Sequence, residues 1–488
     1  MGIKRYTADA DNTITNAYKS NLTTRGTGSN MGLSDSMEVF RIYGQQDSGS
    51  SELSRVLVQF PISDITTDRT NGVVPASGNV SFYLRLFNAK HPFTLPRGYN
   101  MIAASVSRAW NEGTGLDMEN YSDAGVSNWI EASSASSGVT NWSTAGGDYH
   151  AEPRSTASFA NGTEDIEVDV SDAVERWIAG SQTNYGFGVF LQDETAFSSS
   201  YTKKFFTRDS EFFFKRPVIE ARWDSTKRDD RGNFFFSSSL ATSEDNLNTL
   251  FLYNYVRGRL RNIPDIGTGS IYVSVYSGSA DNSAASGSRI RLVQDGTHVA
   301  STNAFVVTGG YFATGTYTAS LALTSAANPL TTAFDVWHSG TTQYNTSSFA
   351  PSKLDAYAYT PYSKYVINIT NLRDRYYRNE TAQFRLYTRN KDWTPTIYVK
   401  ASAVPENLII DSGSFKIVRL VDNFEVIPFG TGSENHTQLS FDNSGSYFDL
   451  DMTLLQADYA YGVKFAFYDD TAKSWNEYPD IFKFRVEE

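Results

Sequence analysis

Apolar residues recur at every second position through most of this chain, the period of half-buried β-strands. Before residue 225 the pattern predicts strands at Ser54–Phe60 (Arg55-Val-Leu-Val-Gln-Phe60), Val80–Phe87, Ala103–Trp110, Ile166–Val170, Gly186–Leu191 and Arg216–Trp223. One stretch breaks the rule. In Asp169–Leu191, residues Ala173, Val174, Trp177 and Ile178 fall on one face at helical spacing while Glu175 and Arg176 point away. Ser171 or Asp172 can cap this short helix, Asp172 with Glu175 has capping-box spacing, and Gly180 supplies the stop. Its apolar face (Val174, Trp177, Ile178) reads as structural core, as does Trp110.

The pattern lapses between Asn111 and Asn161, a segment rich in Gly, Ser, Asn and Trp that reads as too polar for core and without regular structure. It lapses again at 224–233, a charged linker with little to bury. Beyond it, Phe251–Val256 and Ile271–Tyr276 read as strands. Asp295-Gly296 between Ile290–Val293 and Val299 signals a hairpin, and Tyr317, Ala319, Leu321 and Leu323 alternate after Gly315. A third part shows strands at sandwich spacing: Tyr365–Thr370, Ala382–Thr388, Thr396–Ala401, Ser414–Leu420, Tyr447–Met452 and Tyr459–Phe467. Leu455 followed by Tyr459, Tyr461, Val463 and Phe465 has the form of a tyrosine corner entering a core strand. The expected organisation is three all-β parts, 1–225, 226–357 and 358–488, the last two immunoglobulin-like β-sandwich domains in series.

Composition narrows the classes. The chain has 488 residues, 40% apolar and 14% aromatic, enough for several packed cores. It has no cysteine, which excludes disulfides, thiolate nucleophiles and Cys-ligated zinc. The start, Met-Gly-Ile-Lys-Arg-Tyr, lacks the apolar run of a signal peptide, and no run approaches the roughly 20 residues of a membrane helix. Synthesis in a cytoplasm and no membrane insertion are the expectations. A net charge of −12 disfavours nucleic-acid binding through a broad basic face. A local basic cluster, Arg373, Arg375, Arg378, Arg385, Arg389 and Lys391, reads either as solvated strand and loop faces or as a contact patch for an acidic partner.

Five motifs in order carry a resemblance. Arg55-Val-Leu-Val-Gln-Phe60, Trp110-Asn-Glu-Gly-Thr-Gly115, Asp169-Val-Ser-Asp-Ala-Val-Glu-Arg-Trp177, Asn184-Tyr-Gly-Phe-Gly188 and the terminal Phe206-Thr-Arg-Asp with Arg216-Pro-Val-Ile-Glu-Ala-Arg222 together resemble the DNRLRE domain. That family is similar to carbohydrate-binding modules, and the resemblance implies a jelly-roll β-sandwich over most of 1–225. The chain departs from it in the long Trp110–Asn161 segment and in an insertion at Tyr201–Phe214. The whole arrangement, with Pro428-Phe-Gly-Thr-Gly432 and Tyr447-Phe-Asp-Leu-Asp-Met452, is similar to virion structural proteins of contractile-tailed marine (cyanophage-like) phages. That resemblance implies a virion protein made in the host cytoplasm, with other virion proteins as partners and a homo-oligomeric or ring assembly.

Candidate chemistry is sparse. None of His91, His150, His298, His338 and His436 sits beside a Gly-x-Ser-x-Gly turn or in His-Glu-x-x-His. Glu112, Asp117, Glu119 and Asp123 form the densest acidic cluster, read as a solvated loop or, with Asp117, Glu119 and Asp123 as ligands, a weak Ca²⁺ site; no other cofactor is implied. Tyr121, Trp129, Trp142 and Tyr149 lie in the polar segment, where exposed rings can stack on a sugar or on a partner protein. Their alternative role is to pin the loop by burial. Three functions follow: a non-enzymatic virion building block of tail, neck or capsid surface, a receptor- or host-glycan-binding protein, and, least supported, a polysaccharide-degrading enzyme.

Overall fold

A computed structural model describes residues 1–90, 97–116, 126–135, 138–195, 200–278, 287–296, 304–324, 330–354, 364–393 and 407–488. The fold is all-β, with short helices between strands. The chain divides into two compact units, Gly2–Asp224 with Gly432–His436, and Ser225–Thr431 with Thr437–Glu488. Among the described residues no helix is long and apolar enough to cross a membrane.

The first unit is a sandwich of two antiparallel sheets. One has four strands in the order Ile3–Thr7, Val218–Arg222, Ser81–Leu86, Ile166–Asp169. The other runs Tyr201–Phe206, Ser36–Tyr43, Ser51–Gln59, Phe187–Leu191, Tyr99–Val106, Tyr149–Phe159, with Ala10–Thr15 also on Ser51–Gln59. Alternation decides what faces inward. Phe82, Leu84, Leu86 and Ile219 of the first sheet share a core with Val56, Val58, Met101, Phe187 and Val189 of the second.

The expected helix is present at Ser171–Ile178, with Ala173, Val174 and Trp177 buried and Ile178 half-buried against the core. Trp177 packs on Phe187 at 4.8 Å between ring centroids. Gly180 ends the helix at φ +69°, a conformation that costs residues with a Cβ. The capping differs from expectation: no side chain caps the N-terminus. The candidate caps have other partners. Ser171 Oγ accepts from Phe82 N at 2.8 Å, Asp172 pairs with Arg176, and Glu175 takes both arms of Arg69. Arg69 belongs to a second helix, Ile62–Thr70, which apolar spacing did not signal because only Ile65 is buried.

On the four-stranded sheet a wholly buried carboxylate, Glu220, sits among Arg5 (2.6 Å), Arg85 (3.1 Å) and Arg222 (2.7 Å). Burial alone would raise its pKa; the three guanidiniums outweigh that and hold it well below the usual carboxylate range. His436 is buried beside this cluster with neither ring nitrogen hydrogen-bonded, and burial followed by Arg222 lowers its pKa to about 4.

In the second unit, a seven-stranded sheet has the order Asn248–Tyr253, Thr316–Leu323, Val307–Ala313, Ile271–Ser277, Ala333–Ser339, Thr342–Phe349, with Leu292–Val293 on Thr316–Leu323. Tyr317, Ala319, Leu321 and Leu323 are all buried, as their alternation predicts. Leu292 and Val293 pair with Leu323 and Ala322; Val299, the expected hairpin partner, lies outside the described residues. The expected linker at 224–233 is not idle. Asp229 is buried, and Arg231 bridges it to the buried Asp335, which also accepts from Trp337 Nε1 at 2.7 Å. Charge there is consumed by partners that only the fold supplies.

The last strands have immunoglobulin-like order. One sheet runs Tyr365–Ile369, Thr381–Asn390, Gly445–Asp451, Ser440–Asp442; the other runs Arg375–Tyr377, Phe482–Glu487, Ala460–Asp469, Gly413–Arg419, Phe424–Ile427. In chain order these match the A-B-E-D and G-F-C sheets of that fold, with the short Arg375–Tyr377 strand parallel to the final one. The tyrosine corner forms at Tyr461, whose buried hydroxyl donates to Gln456 O (2.7 Å) and accepts from Gln456 N (3.0 Å). The expected strand at 396–401 lies outside the described residues.

One acid sensitivity follows. The unfolded chain protonates His436 near 6.5, but the folded unit resists until about 4, so stability falls as pH drops through that window. The full loss is about 3 kcal/mol at 1.36 kcal/mol per pH unit. Glu220, whose folded pKa is depressed, keeps its contribution until the pH falls below its unfolded value of 4.5. Urea unfolding of the first unit at pH 7 and pH 4.5 should therefore show the loss in the wild type and a much smaller one in His436→Phe.

Candidate functional site

The candidate site lies on the face of the first unit's seven-stranded sheet that points away from the shared core. Three strands of the sheet, Ser51–Gln59, Phe187–Leu191 and Tyr149–Phe159, bring Arg55, Gly188 with Phe190, and Tyr149 together there. Described residues of the segment expected to be structureless pack on this face. That segment forms a hairpin, Glu131–Ala135 with Gly138–Asn141, and then the eleven-residue strand Tyr149–Phe159.

Its tryptophans are not sugar platforms. Trp129 and Trp142 are 6% and 5% exposed, and with Trp110, Ile14, Leu57, Val106 and Ala132 they make a small second core. The Trp142 indole donates to Asn128 O (2.9 Å) and that of Trp110 to Tyr185 O (2.8 Å). The physical reason is that Ile14, Leu57 and Val106 project from the outer face and would otherwise stand in water. Trp110, expected in the core, is there.

Beside this cluster a cleft of about 830 Å³ opens, walled by Tyr149, Tyr185 and Phe190 and rimmed by Ser107, Arg108, Ser143, Thr144, Asp148 and Arg154. Its floor is tightly built. Arg55 grips Glu194 with both arms (2.8 and 2.6 Å), donates to Gly146 O (2.9 Å) and lies over Trp129, Tyr149 and Phe190 at 5.1–5.6 Å. Tyr149 also donates to Gly146 O, and burial pushes its hydroxyl up to about 12. The Tyr149 ring lies where a side chain of residue 188 would stand: a Cβ there would sit 2.0 Å from it. At Gly186, with φ +79°, a Cβ would meet Val58 O at 2.1 Å. The Tyr-Gly-Phe-Gly run is thus dictated by close approach.

On the rim, Arg108 reaches Asp148 (2.6 Å) and Ser143 Oγ (2.7 Å). Burial would raise the Asp148 pKa, but Ser143 N, Thr144 N and Arg108 all donate to it and hold it below the usual range. Asp148 is therefore ionised and engaged, unlike the proton-bearing acid that glycoside cleavage needs. Arg154 is exposed, lines the cleft and places its Nε on His150 O (3.1 Å). Cations, hydroxyls and aromatic walls in one cleft suit recognition of a polar or anionic partner.

Of the other candidates, Tyr121, Asp117, Glu119 and Asp123 lie outside the described residues. Glu112, of the same acidic run, is held by Arg208 through two bonds of 2.8 Å and accepts from Asp11 N. Among the described residues no group of three or more His, Asp or Glu side chains is placed to hold a metal. His91 and His298 lie outside the described residues; Ser274 Oγ meets His338 Nε2 at 2.9 Å but is wholly buried. In the basic cluster Arg373, Arg375, Arg378 and Arg385 pair with Glu380, Glu487, Glu488 and Asp442 of the same unit. Sequence reasoning found Tyr149 but missed Arg55, Arg108, Asp148 and Arg154. The alternation around Arg55 does place a cation on the outer face, a signal that could have been used.

No family model matches the sequence, and no curated protein matches it. Among solved structures, a crystal structure of Salmonella alpha-2-macroglobulin reacted with methylamine aligns with 93% of this chain at 8% identity and a TM-score of 0.15. This chain spans 21% of that protein's length.

The Tyr149–Gly188 contact yields a test. Gly188→Ala should push the ring off the sheet and destabilise the first unit by about 1–3 kcal/mol, the usual cost of overpacking. Chemical unfolding followed by tryptophan fluorescence reads this directly.

Proposed function

We propose that this chain is a non-enzymatic structural protein of a phage particle, a tail, neck or capsid-surface component that works by docking. The observation that carries the docking reading is the state of the cleft: its carboxylate is ionised and engaged by Arg108, and its floor arginine is engaged by Glu194. Such a surface is preorganised to bind and holds no poised acid or base. The particle assignment is supported by the resemblance to contractile-tailed phage proteins and by the series of β-modules without cysteine. Such components assemble symmetrically, so a homo-oligomer contacting other virion proteins is part of the proposal. Quantitative mass spectrometry of purified particles should find the chain at a fixed, integral stoichiometry; its absence from particles rejects the reading.

The cleft favours a second reading in which the first unit binds a host surface glycan. Tyr149 and Tyr185 offer ring surface, while Ser143, Thr144 and Arg154 offer polar contacts at the edge. Of the cleft's arginines, Arg55 and Arg108 are paired with carboxylates while Arg154 has no ion pair among the described residues, which directs the reading to saccharides bearing carboxylate or sulfate. A glycan array should show binding to acidic glycans, with Arg154→Ala weakening it about tenfold, the effect of losing roughly 1.4 kcal/mol. Equal binding by the variant would exclude the cleft as the site.

A further inference from the structure

Lys203 stands apart from every other lysine described. It lies on Tyr201–Phe206, the edge strand of the first unit's larger sheet, and is 1% exposed. Its Nζ donates to Asn88 Oδ1 at 2.7 Å, Glu164 O at 2.8 Å and Gly162 O at 3.0 Å. The rings of Phe159 and Phe205 stand 5.0 and 5.3 Å from Nζ. Among the described residues no carboxylate oxygen bonds it directly, and burial lowers its pKa to about 8, partly opposed by Asp165 and then Glu164. At neutral pH about a tenth of such a group is the free amine, the form in which a desolvated lysine is a nucleophile.

Its neighbour is an electrophile held still. Asn88 follows the strand Ser81–Leu86 of the smaller sheet, and its backbone bridges Phe205. The flanking backbone is locked by Ala89 N to Lys204 O (3.0 Å) and Phe206 N to Phe87 O (3.0 Å). With a carbonyl bond of about 1.23 Å, a nitrogen bonded to Oδ1 lies within about 4 Å of the carboxamide carbon. That is close to the separation of reacting atoms in a near-attack arrangement. Asp165 completes the group, accepting from Asn88 N at 2.7 Å and favouring the charged form of Lys203 through its negative charge.

We propose that Lys203 and Asn88 become joined by an isopeptide bond formed within the folded first unit. The Lys203 ammonium gives up one proton, taken up by the neighbouring Asp165 carboxylate as conformational motion brings the two within reach. The amine lone pair attacks Asn88 Cγ, a C–N bond forms to Nζ, and the bond to Nδ2 breaks. Nδ2 leaves as ammonia with the second amine proton and takes the proton held by Asp165, departing as ammonium. Nothing is oxidised or reduced, and no outside reagent is consumed. The bond ties the smaller sheet to the larger one, a covalent clamp between sheets in a chain with no cysteine to supply one.

This inference stands apart from the function proposed above and is decided by mass. The purified full-length chain, denatured, should weigh one ammonia (about 17 Da) less than its sequence. Fragmentation of the digest should place the loss in a linked peptide containing both residues. Lys203→Met and Asn88→Ala should each return the full sequence mass. A wild-type chain at full mass overturns the proposal. So does a loss that persists in Lys203→Met, as cyclisation at Asn161-Gly162 would produce.

Discussion

The first unit is governed by a sheet that carries apolar side chains on both of its faces. Val56, Val58, Phe187 and Val189 fill the sandwich, but Ile14, Leu57 and Val106 point the other way and need cover. Trp110, Trp129 and Trp142 provide it, each delivered by backbone outside the alternating strands. Burying an indole contributes on the order of 2–3 kcal/mol, enough to order a polar segment around it. The cleft is a by-product of that cover. Where the tryptophan cluster ends, Arg55 closes the gap, Tyr149 packs on Gly188, and the space between them and Arg154 stays open.

Charge is handled by the same economy in both units. Glu220 lies among three arginines, Asp335 holds Arg231, Glu194 holds Arg55 and Asp148 holds Arg108. Buried ions need partners of this quality, because desolvation otherwise outweighs attraction. Lys203 and His436 depart from this pattern: a cation among carbonyl oxygens, and an imidazole without a hydrogen bond. Groups left so poorly compensated are where reactivity and pH response concentrate.

The immunoglobulin-like strands show a different solution to the same packing problem. There the core is aromatic, with Phe448 stacked between Phe384 and Phe415 at 4.9 and 4.0 Å, and Tyr461 pinning the turn before its strand. Its edges carry arginine–carboxylate pairs, such as Arg385 with Asp442, that keep strand flanks polar. A module of this kind offers outer surface for docking while its interior stays inert, which suits the structural role proposed here.

The alternating apolar positions determined by themselves that the chain is all-β and where many of its strands lie, and the helical spacing determined that Ala173, Val174 and Trp177 face a core. Period and burial are local properties, since the side chain at every second position must take the same side. The tyrosine corner was legible for a like reason, a tyrosine a few residues past a turn. Tertiary structure alone decided the rest. The sequence left Trp129 and Trp142 open between exposed stacking and pinning by burial because their neighbours in sequence are polar; their neighbours in space are apolar, and they are buried. Arg55, Asp148 and Arg154 lie on different strands or loops and meet only when the sheet forms, as do Lys203 and Asn88, 115 residues apart. A site assembled across strands leaves no spacing in the sequence, because its distances are set by sheet order and register.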